Sequence, residues 1–432
     1  MKTIKDFYSE RHAQGRNVGV INLGCARNLV DAQVILGHLK RTGHHIVDVA
    51  DADIAIVNTC GFIEAAKKES IDTIIELLEL KKQGKLKKVI VAGCLAQRYS
   101  DELIRELDGI DAIVGAQQLD REALPEQVLL TPGHFAYVKI CESCYNQCSF
   151  CIIPKIKGKF TSRTMESVFR EVKQLDERGV KEVLMIGQDI TAYGMDIYRE
   201  MSLAKLLKEI TAAMENIQWI RLLYTFPAHV TDELIDVIAG EEKICKYIDM
   251  PIQHISDNLL KSMNRGITTR EIRELIGKIR VKIPGASIRT TFIVGLPGET
   301  SGNYKELLDF VQETRFDKMG VFVYSREEGT PAYAMPGQVP ETVKKERMNR
   351  LMQLQRDISM TAQQKMVGRS MKVLVDEEQK EAKGVYLGRS EYDAPEVDGS
   401  VYVHSARKLK PGDFVTVKIT DALEYDLVGE AA

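Results

Sequence analysis

The sequence predicts an α/β chain in three parts: an N-terminal parallel α/β domain, a central full or partial (β/α) barrel, and a small antiparallel β-barrel at the C-terminus. Three observations carry this. From residue 17, short β-branched runs alternate with helical stretches, the pattern of a parallel sheet covered by helices. Near residue 135 the alternation restarts and continues through six strand–helix units. After Gly368 the style changes to short strands separated by turns, as in small antiparallel barrels.

The first part, 17–130, has strand-like runs at 18–23, 54–58, 88–92 and 112–114. Between the second and third, a helix over about 62–82 places Ile71, Ile74, Ile75 and Leu78 at helical spacing. Three runs end alike: Leu23-Gly24-Cys25, Asn58-Thr59-Cys60 and Ala92-Gly93-Cys94. Successive strands of a parallel sheet end on one edge, where ligands bind. A single cysteine past a strand is commonly a buried, inert thiol. Three in the same position predict convergence on a metal cluster with three protein ligands.

The second part, 131–366, has strands at 135–140, 182–186, 219–224, 247–250, 287–294 and 318–324. Amphipathic helices separate them, one opened by Thr164 as N-cap and ended by Gly179. In such barrels the chemistry sits at the C-terminal mouth of the strands. A Pro/Gly-rich break at 331–340 precedes a long helix, 341–366, with Val343, Leu351, Leu354 and Ile358 on or near one face. The third part, 367–432, has strands at 370–375, 384–387, 400–403 and 414–419. It holds nine Lys/Arg against thirteen Asp/Glu, a net of −4. A surface that tracks phosphates needs the opposite sign, so a basic protein partner is expected. Glu391, Asp393, Glu396 and Asp398 crowd one turn-rich segment and are its expected contacts.

Just after the first barrel strand lies Cys141-Glu-Ser-Cys144-Tyr-Asn-Gln-Cys148-Ser-Phe-Cys151, half of the chain's eight cysteines. Thiolates are soft ligands, so zinc and an iron–sulfur cluster are the candidates. Structural zinc usually takes two short hooks a dozen or more residues apart, and here the hooks nearly touch. Cys144, Cys148 and Cys151 form C-x-x-x-C-x-x-C, three ligands on one tight loop. A four-iron cube held by three cysteines keeps one iron open to a substrate or cofactor. Cys141 is either a fourth ligand or an inert thiol at the end of a strand, and the inert reading is favoured.

Of the residues, 44% are hydrophobic and 28% charged, ordinary for a soluble globular protein. No apolar run approaches the ~20 residues of a membrane span. The opening MKTIKDFYSERHAQGRN lacks a signal-peptide core, so a cytoplasmic location is expected. The net charge of −3 argues against a wholesale polyanion-binding surface.

The nested cysteines, with aromatic Phe150 before the last, resemble the radical S-adenosylmethionine (SAM) superfamily. Across nearly the whole chain the sequence is similar to its methylthiotransferases, which join an N-terminal cluster domain, a radical SAM barrel and a C-terminal TRAM domain. The resemblance implies two [4Fe-4S] clusters, one on Cys25, Cys60 and Cys94 and one on Cys144, Cys148 and Cys151, with SAM on the second. Gly24-Cys25-Ala-Arg-Asn-Leu-Val-Asp31 resembles the branch that methylthiolates the β-carbon of an aspartate in protein twelve of the small ribosomal subunit. The tRNA-modifying branch usually has Gln-Met-Asn after its first cysteine. Gly388-Arg-Ser-Glu-Tyr-Asp-Ala-Pro-Glu-Val-Asp-Gly399 points the same way. Ala26-Arg27 in place of Pro-Lys and the additional Cys141 depart from the pattern.

The resemblance further implies Gln188 and Asp189, in Gly187-Gln-Asp, as acceptors for the SAM amino group. Arg289, Thr291 and the turn Gly295-Leu-Pro-Gly-Glu299 fall to its carboxylate or adenine, and Gln253 and His254 to the ribose or substrate pocket. A satisfied polar residue at a barrel end is the plain alternative for each. A low-potential electron donor is the other expected partner, with no membrane and no tRNA. A tRNA methylthiotransferase and a non-catalytic cluster protein remain the alternatives.

Overall fold

The computed structural model describes residues 15–119 and 128–432. The polar opening stretch, 1–14, lies outside them, as does 120–127 near the expected end of the first part. Strands β1 (Asn17–Asn22), β2 (His45–Ile46), β3 (Ile54–Thr59), β4 (Lys88–Gly93) and β5 (Ala112–Gly115) form one parallel sheet in the order β2-β1-β3-β4-β5. That order reverses between β1 and β3, and open α/β sheets bind ligands at such a reversal. β1, β3 and β4 are adjacent, so the loops carrying Cys25, Cys60 and Cys94 leave the same edge side by side. Helices Ala26–Arg41 and Glu64–Lys82 pack on the sheet. The second buries Ser70, Ile74, Leu77 and Leu78, while Ile75 is exposed, so its apolar face is rotated from the expected one. Ser70 sets that rotation: its hydroxyl exchanges hydrogen bonds of 3.0 Å with both the N–H and the carbonyl of Cys60.

β6 (Phe135–Lys139) opens the barrel, followed by a short antiparallel pair, β7 (Cys141–Glu142) and β8 (Thr161–Ser162). Cys141 thus begins its own strand and does not end β6. The remaining strands are β9 (Glu182–Ile186), β10 (Trp219–Leu222), β11 (Tyr247–Asp249), β12 (Ser287–Val294) and β13 (Lys318–Val323). They form parallel sheets β6-β9-β10 and β11-β12-β13, joined at an Ile220–Ile244 bridge, which makes a partial barrel. Thr164 caps the helix Met165–Glu177, accepting from the Ser167 N–H, and Gly179 follows its end at φ +83°.

A long helix, Glu341–Gln364, leads to a closed barrel of β14 (Ser370–Glu378), β15 (Val385–Ser390), β16 (Val401–His404), β17 (Phe414–Ala422) and β18 (Leu427–Ala431), in the order β14-β15-β16-β18-β17. The fifth strand adds to the four expected and pairs in parallel with β16; the other pairs are antiparallel. Its central Gly429 hid it from a β-propensity reading. A Cβ there would lie 2.5 Å from Val417 and 2.6 Å from the Lys418 carbonyl, so close approach to β17 demands glycine.

Two of the four acids expected as partner contacts, Asp393 and Asp398, are instead turned inward. Their segment closes the N-terminal end of the larger barrel. Lys318, first in β13, pairs with Asp393 at 2.5 Å, and Tyr247, first in β11, donates to Asp398 at 2.7 Å. Arg389 shares Glu182 with Arg221, and both Glu182 and Arg221 are fully buried. Asp393 and Asp398 have side chains 8% and 3% exposed, Glu391 accepts from the Lys246 N–H, and of the four acids Glu396 alone is exposed. A charge count cannot see that the counter-ions come from barrel residues far away in sequence.

The first domain lies across the opposite, C-terminal mouth. One fastening is a buried cluster in which Asp31 and Glu142 each contact both Lys139 and Lys157. A second joins Arg98 and Lys67 to Glu327 at 2.8 and 3.2 Å.

Candidate active site

Asn28 organises the N-terminal cysteine triad. Its amide donates to the carbonyls of Leu23 (2.9 Å) and Thr59 (3.1 Å), and its Oδ1 lies 3.7 Å from the Cys94 Sγ. One side chain thus ties the loops of all three cysteines. Gly24 has φ +90°, and a Cβ there would sit 2.8 Å from the Cys60 Cβ, so this loop reaches Cys60 only as glycine. Cys25 is the N-cap of helix Ala26–Arg41. Burial pushes its thiol up, but the Arg27 guanidinium and the N–H groups of Asn28 and Arg27 outweigh that and hold it below the usual thiol value. Burial pushes Cys60 up, and Cys94 to about 12.

The second triad sits on a loop pinned from three sides. The Ser149 N–H donates to the Met263 carbonyl (3.0 Å), the Ala332 N–H to the Ser149 carbonyl (2.9 Å) and the Asn264 amide to the Gln147 carbonyl (2.8 Å). Arg265 lies over the Phe226 ring at 4.0 Å and points Nη1 at the Cys148 Sγ, 3.5 Å away. Burial raises Cys144 to about 11 and Cys151 to about 12. Thiolates at such depth need a cationic group to neutralise them, which an iron cluster supplies. All six thiols are free. Among the described residues no three His, Cys, Asp or Glu side chains close on a single ion. Three buried thiols on one tight loop, Cys144, Cys148 and Cys151, are a donor set that suits a cysteine-ligated cluster with one iron left open.

Cys144, Cys148 and Cys151 line a cavity of about 220 Å³ at the barrel mouth. Arg27 and Phe62, neighbours in sequence of Cys25 and Cys60, form part of its wall. Phe150, Gln188, Gln253 and Thr291 line it too. Gln253 takes φ +77°, an uncommon backbone for a side-chain-bearing residue. Its Oε1 and the Nε of Arg265 are buried without a partner among the described residues, two polar groups at the cavity wall left for a ligand.

Asp189 and Arg289 sit elsewhere. Asp189 is buried, and its Oδ1 accepts from the Thr191 N–H (3.0 Å) and hydroxyl (2.5 Å). Its Oδ2 pairs with Asn146 (2.7 Å) and His229 (2.8 Å). The carboxylate is thereby consumed in holding the cysteine loop. Arg289 pairs with Asp249 at 2.9 Å and faces Asp398 at the barrel floor. His254 is fully buried and accepts from the Ser256 N–H; burial, with Arg347, pushes it down to about 3. Cys141 is 2% exposed, lies 3.6 Å from the Asp189 carbonyl and lines a different cavity. Gly187 exists to admit it, since a Cβ there would fall 2.5 Å from its sulfur. Arg27, Phe62, Tyr224, Phe226 and Arg265, all at the cavity, escaped the sequence reading because lone residues carry no spacing signal.

A parallel partial barrel with a three-cysteine loop at its mouth defines a radical SAM enzyme, the class that uses an iron–sulfur cluster and SAM. Residues 138–311 match the radical SAM superfamily, 367–432 the TRAM domain, and 17–115 the uncharacterized protein family UPF0004. In fold, the chain is similar to the radical S-adenosylmethionine methyltransferase TsrM from Kitasatospora setae, solved with cobalamin and a [4Fe-4S] cluster (TM-score 0.55, 14% identity, 87% of this chain and 77% of that one). It is 49% identical to the ribosomal protein uS12 methylthiotransferase RimO of Desulforamulus reducens, over 96% of this chain and 99% of the relative. The RimO of Thermoanaerobacter sp. strain X514 is 47% identical, over 96% and 100%. The chain belongs to this family, the RimO-type methylthiotransferases. Among the described residues no helix is long and apolar enough to cross a membrane.

Proposed function

We propose that the protein transfers a methylthio group to the β-carbon of an aspartate in ribosomal protein uS12, in the cytoplasm, with a low-potential protein supplying electrons and with no action on tRNA. The observation that carries this is one cavity with a cysteine triad on one wall and neighbours of a second triad, Arg27 and Phe62, on the other. In our reading Cys144, Cys148 and Cys151 hold the cluster that meets SAM, and Cys25, Cys60 and Cys94 hold a second [4Fe-4S] cluster near the transferred sulfur. The division of labour falls at 17–130, 131–366 and 367–432.

When bound, cluster and SAM supply the one-electron chemistry that breaks an unactivated C–H bond, which no ordinary side chain can. The chain's own residues bind and orient. The unpartnered Arg265 Nε suits the SAM carboxylate, as a guanidinium fork suits carboxylates generally. Gln253 offers Oε1 to a donor such as the SAM amino group or ribose. Gln188, Thr291 and Phe150 complete the walls. Asp189 acts at one remove, through Asn146, on the set of the cysteine loop, and Arg289 belongs to the barrel floor.

The test is Cys60→Ala, reconstituted anaerobically beside the wild type. Wild type should hold about eight irons, as two four-iron cubes would, and methylthiolate uS12. The variant should lose roughly half the iron, still cleave SAM to 5′-deoxyadenosine, and transfer no methylthio group. Loss of all iron in the variant would mean one shared site and contradict the proposal.

A further inference from the structure

Arg27 is the side chain that spans the gap between the two domains at the cavity itself. It follows Cys25 by two residues, in the first turn of helix Ala26–Arg41. Its Nη1 donates 2.9 Å to the Gly187 carbonyl, just past β9, and its guanidinium lies 4.3 Å over the ring of Tyr224, just past β10. Tyr224 has φ +67°, a strained backbone that persists only where surroundings impose it. Cys151 shares the cavity wall with Arg27. The ion pairs of Asp31 with Lys139 and Lys157, and of Arg98 with Glu327, do not line this cavity.

We propose that Arg27 is a positioning residue that sets the distance between the cysteine triads and so couples SAM cleavage to sulfur transfer. The proposal rests on the function proposed above. A planar guanidinium can donate to one barrel loop while stacking on another, fixing distance and orientation together. The flanking ion pairs hold the domain on the barrel without it, so the loss of Arg27 loosens register and leaves docking in place. Sulfur transfer across a gap is sensitive to such slack, because ångström-scale misplacement costs up to about 10²-fold in rate.

The experiment compares Arg27→Gln and Arg27→Lys with wild type in the reconstituted full chain. The first readout is methylthiolated aspartate formed per 5′-deoxyadenosine. The second is the magnetic interaction between the two reduced clusters by electron paramagnetic resonance. Arg27→Gln should keep the iron of both triads, weaken the magnetic interaction, and lower the product ratio by roughly one to two orders of magnitude. Arg27→Lys, which keeps the charge and can still reach the Gly187 carbonyl but has no planar group to stack on Tyr224, should restore the ratio only in part. A normal ratio in Arg27→Gln, or an iron loss that accounts for the fall, overturns the proposal. If wild type itself forms no methylthiolated aspartate, the functional reading fails instead. The magnetic interaction then decides alone about Arg27: unchanged in Arg27→Gln, it overturns the proposal, and weakened, it upholds the distance-setting role.

Discussion

Replacing Asp31 with Asn removes one of two carboxylates from a buried cluster of four charges. Lys139 and Lys157 both reach Asp31, and both reach Glu142, at 2.6 and 3.2 Å. Side-chain exposures are 4% for Asp31, 9% for Glu142, 7% for Lys139 and 2% for Lys157. The variant leaves two ammonium groups facing one carboxylate, with little access to water. Breaking a buried pair in this way costs about 3–5 kcal/mol. Asp31 stands on the first domain and the other three on the barrel, so the cost falls on domain docking. At about 1.4 kcal/mol per tenfold, opening of the seam should rise by roughly two to three and a half orders of magnitude. Amide hydrogen exchange over Ala26–Arg41 and Phe135–Glu142 measures it. Adding Lys139→Met restores one charge of each sign and should recover about 1–3 kcal/mol. Exchange in Asp31→Asn within about twofold of wild type, or no recovery in the double variant, would refute the claim that this cluster fastens the domains.

Cys141→Ala should keep its iron and its SAM cleavage, whereas Cys148→Ala should lose the SAM cluster; abolished cleavage in Cys141→Ala would overturn the assignment. Asp393→Asn strands Lys318 beneath the barrel and should cost about 3 kcal/mol in calorimetry, while the salt dependence of uS12 modification stays as in wild type. A salt response without destabilisation would return that segment to the surface. His254 is held neutral, with its pKa pushed from 6.5 to about 3. Between those values the unfolded chain binds a proton that the folded chain refuses, so stability falls as pH falls, by at most about 1.4 kcal/mol per pH unit. His254→Asn should flatten the melting temperature between about pH 6.5 and pH 4; identical slopes would show that His254 does not titrate this way.

What could be read from the sequence was whatever repeats or has a period. Three strand-to-cysteine junctions and one C-x-x-x-C-x-x-C loop marked both triads, because backbone topology alone brings Cys25, Cys60 and Cys94 to one sheet edge. Alternating strands and helices marked the partial barrel, and the Thr164 cap lies where side-chain chemistry demands. Tertiary partnerships were out of reach. Asp393 and Asp398 looked like a docking surface because nothing local reveals that Lys318 and Tyr247 meet them. Asp189 looked free because its five protein donors lie on three different loops. Arg27 and Arg265 carry no spacing signal in the sequence, and only the fold brings them to the cavity.

The central claim is the substrate, and a competition measures it. The anaerobically reconstituted protein, with SAM and reductant, is offered uS12 and tRNA together, and both are examined by mass spectrometry. One aspartate of uS12 should gain a methylthio group in place of a hydrogen on its β-carbon, with tRNA adenosines unchanged. A methylthiolated adenosine beside an unmodified uS12 would contradict the account.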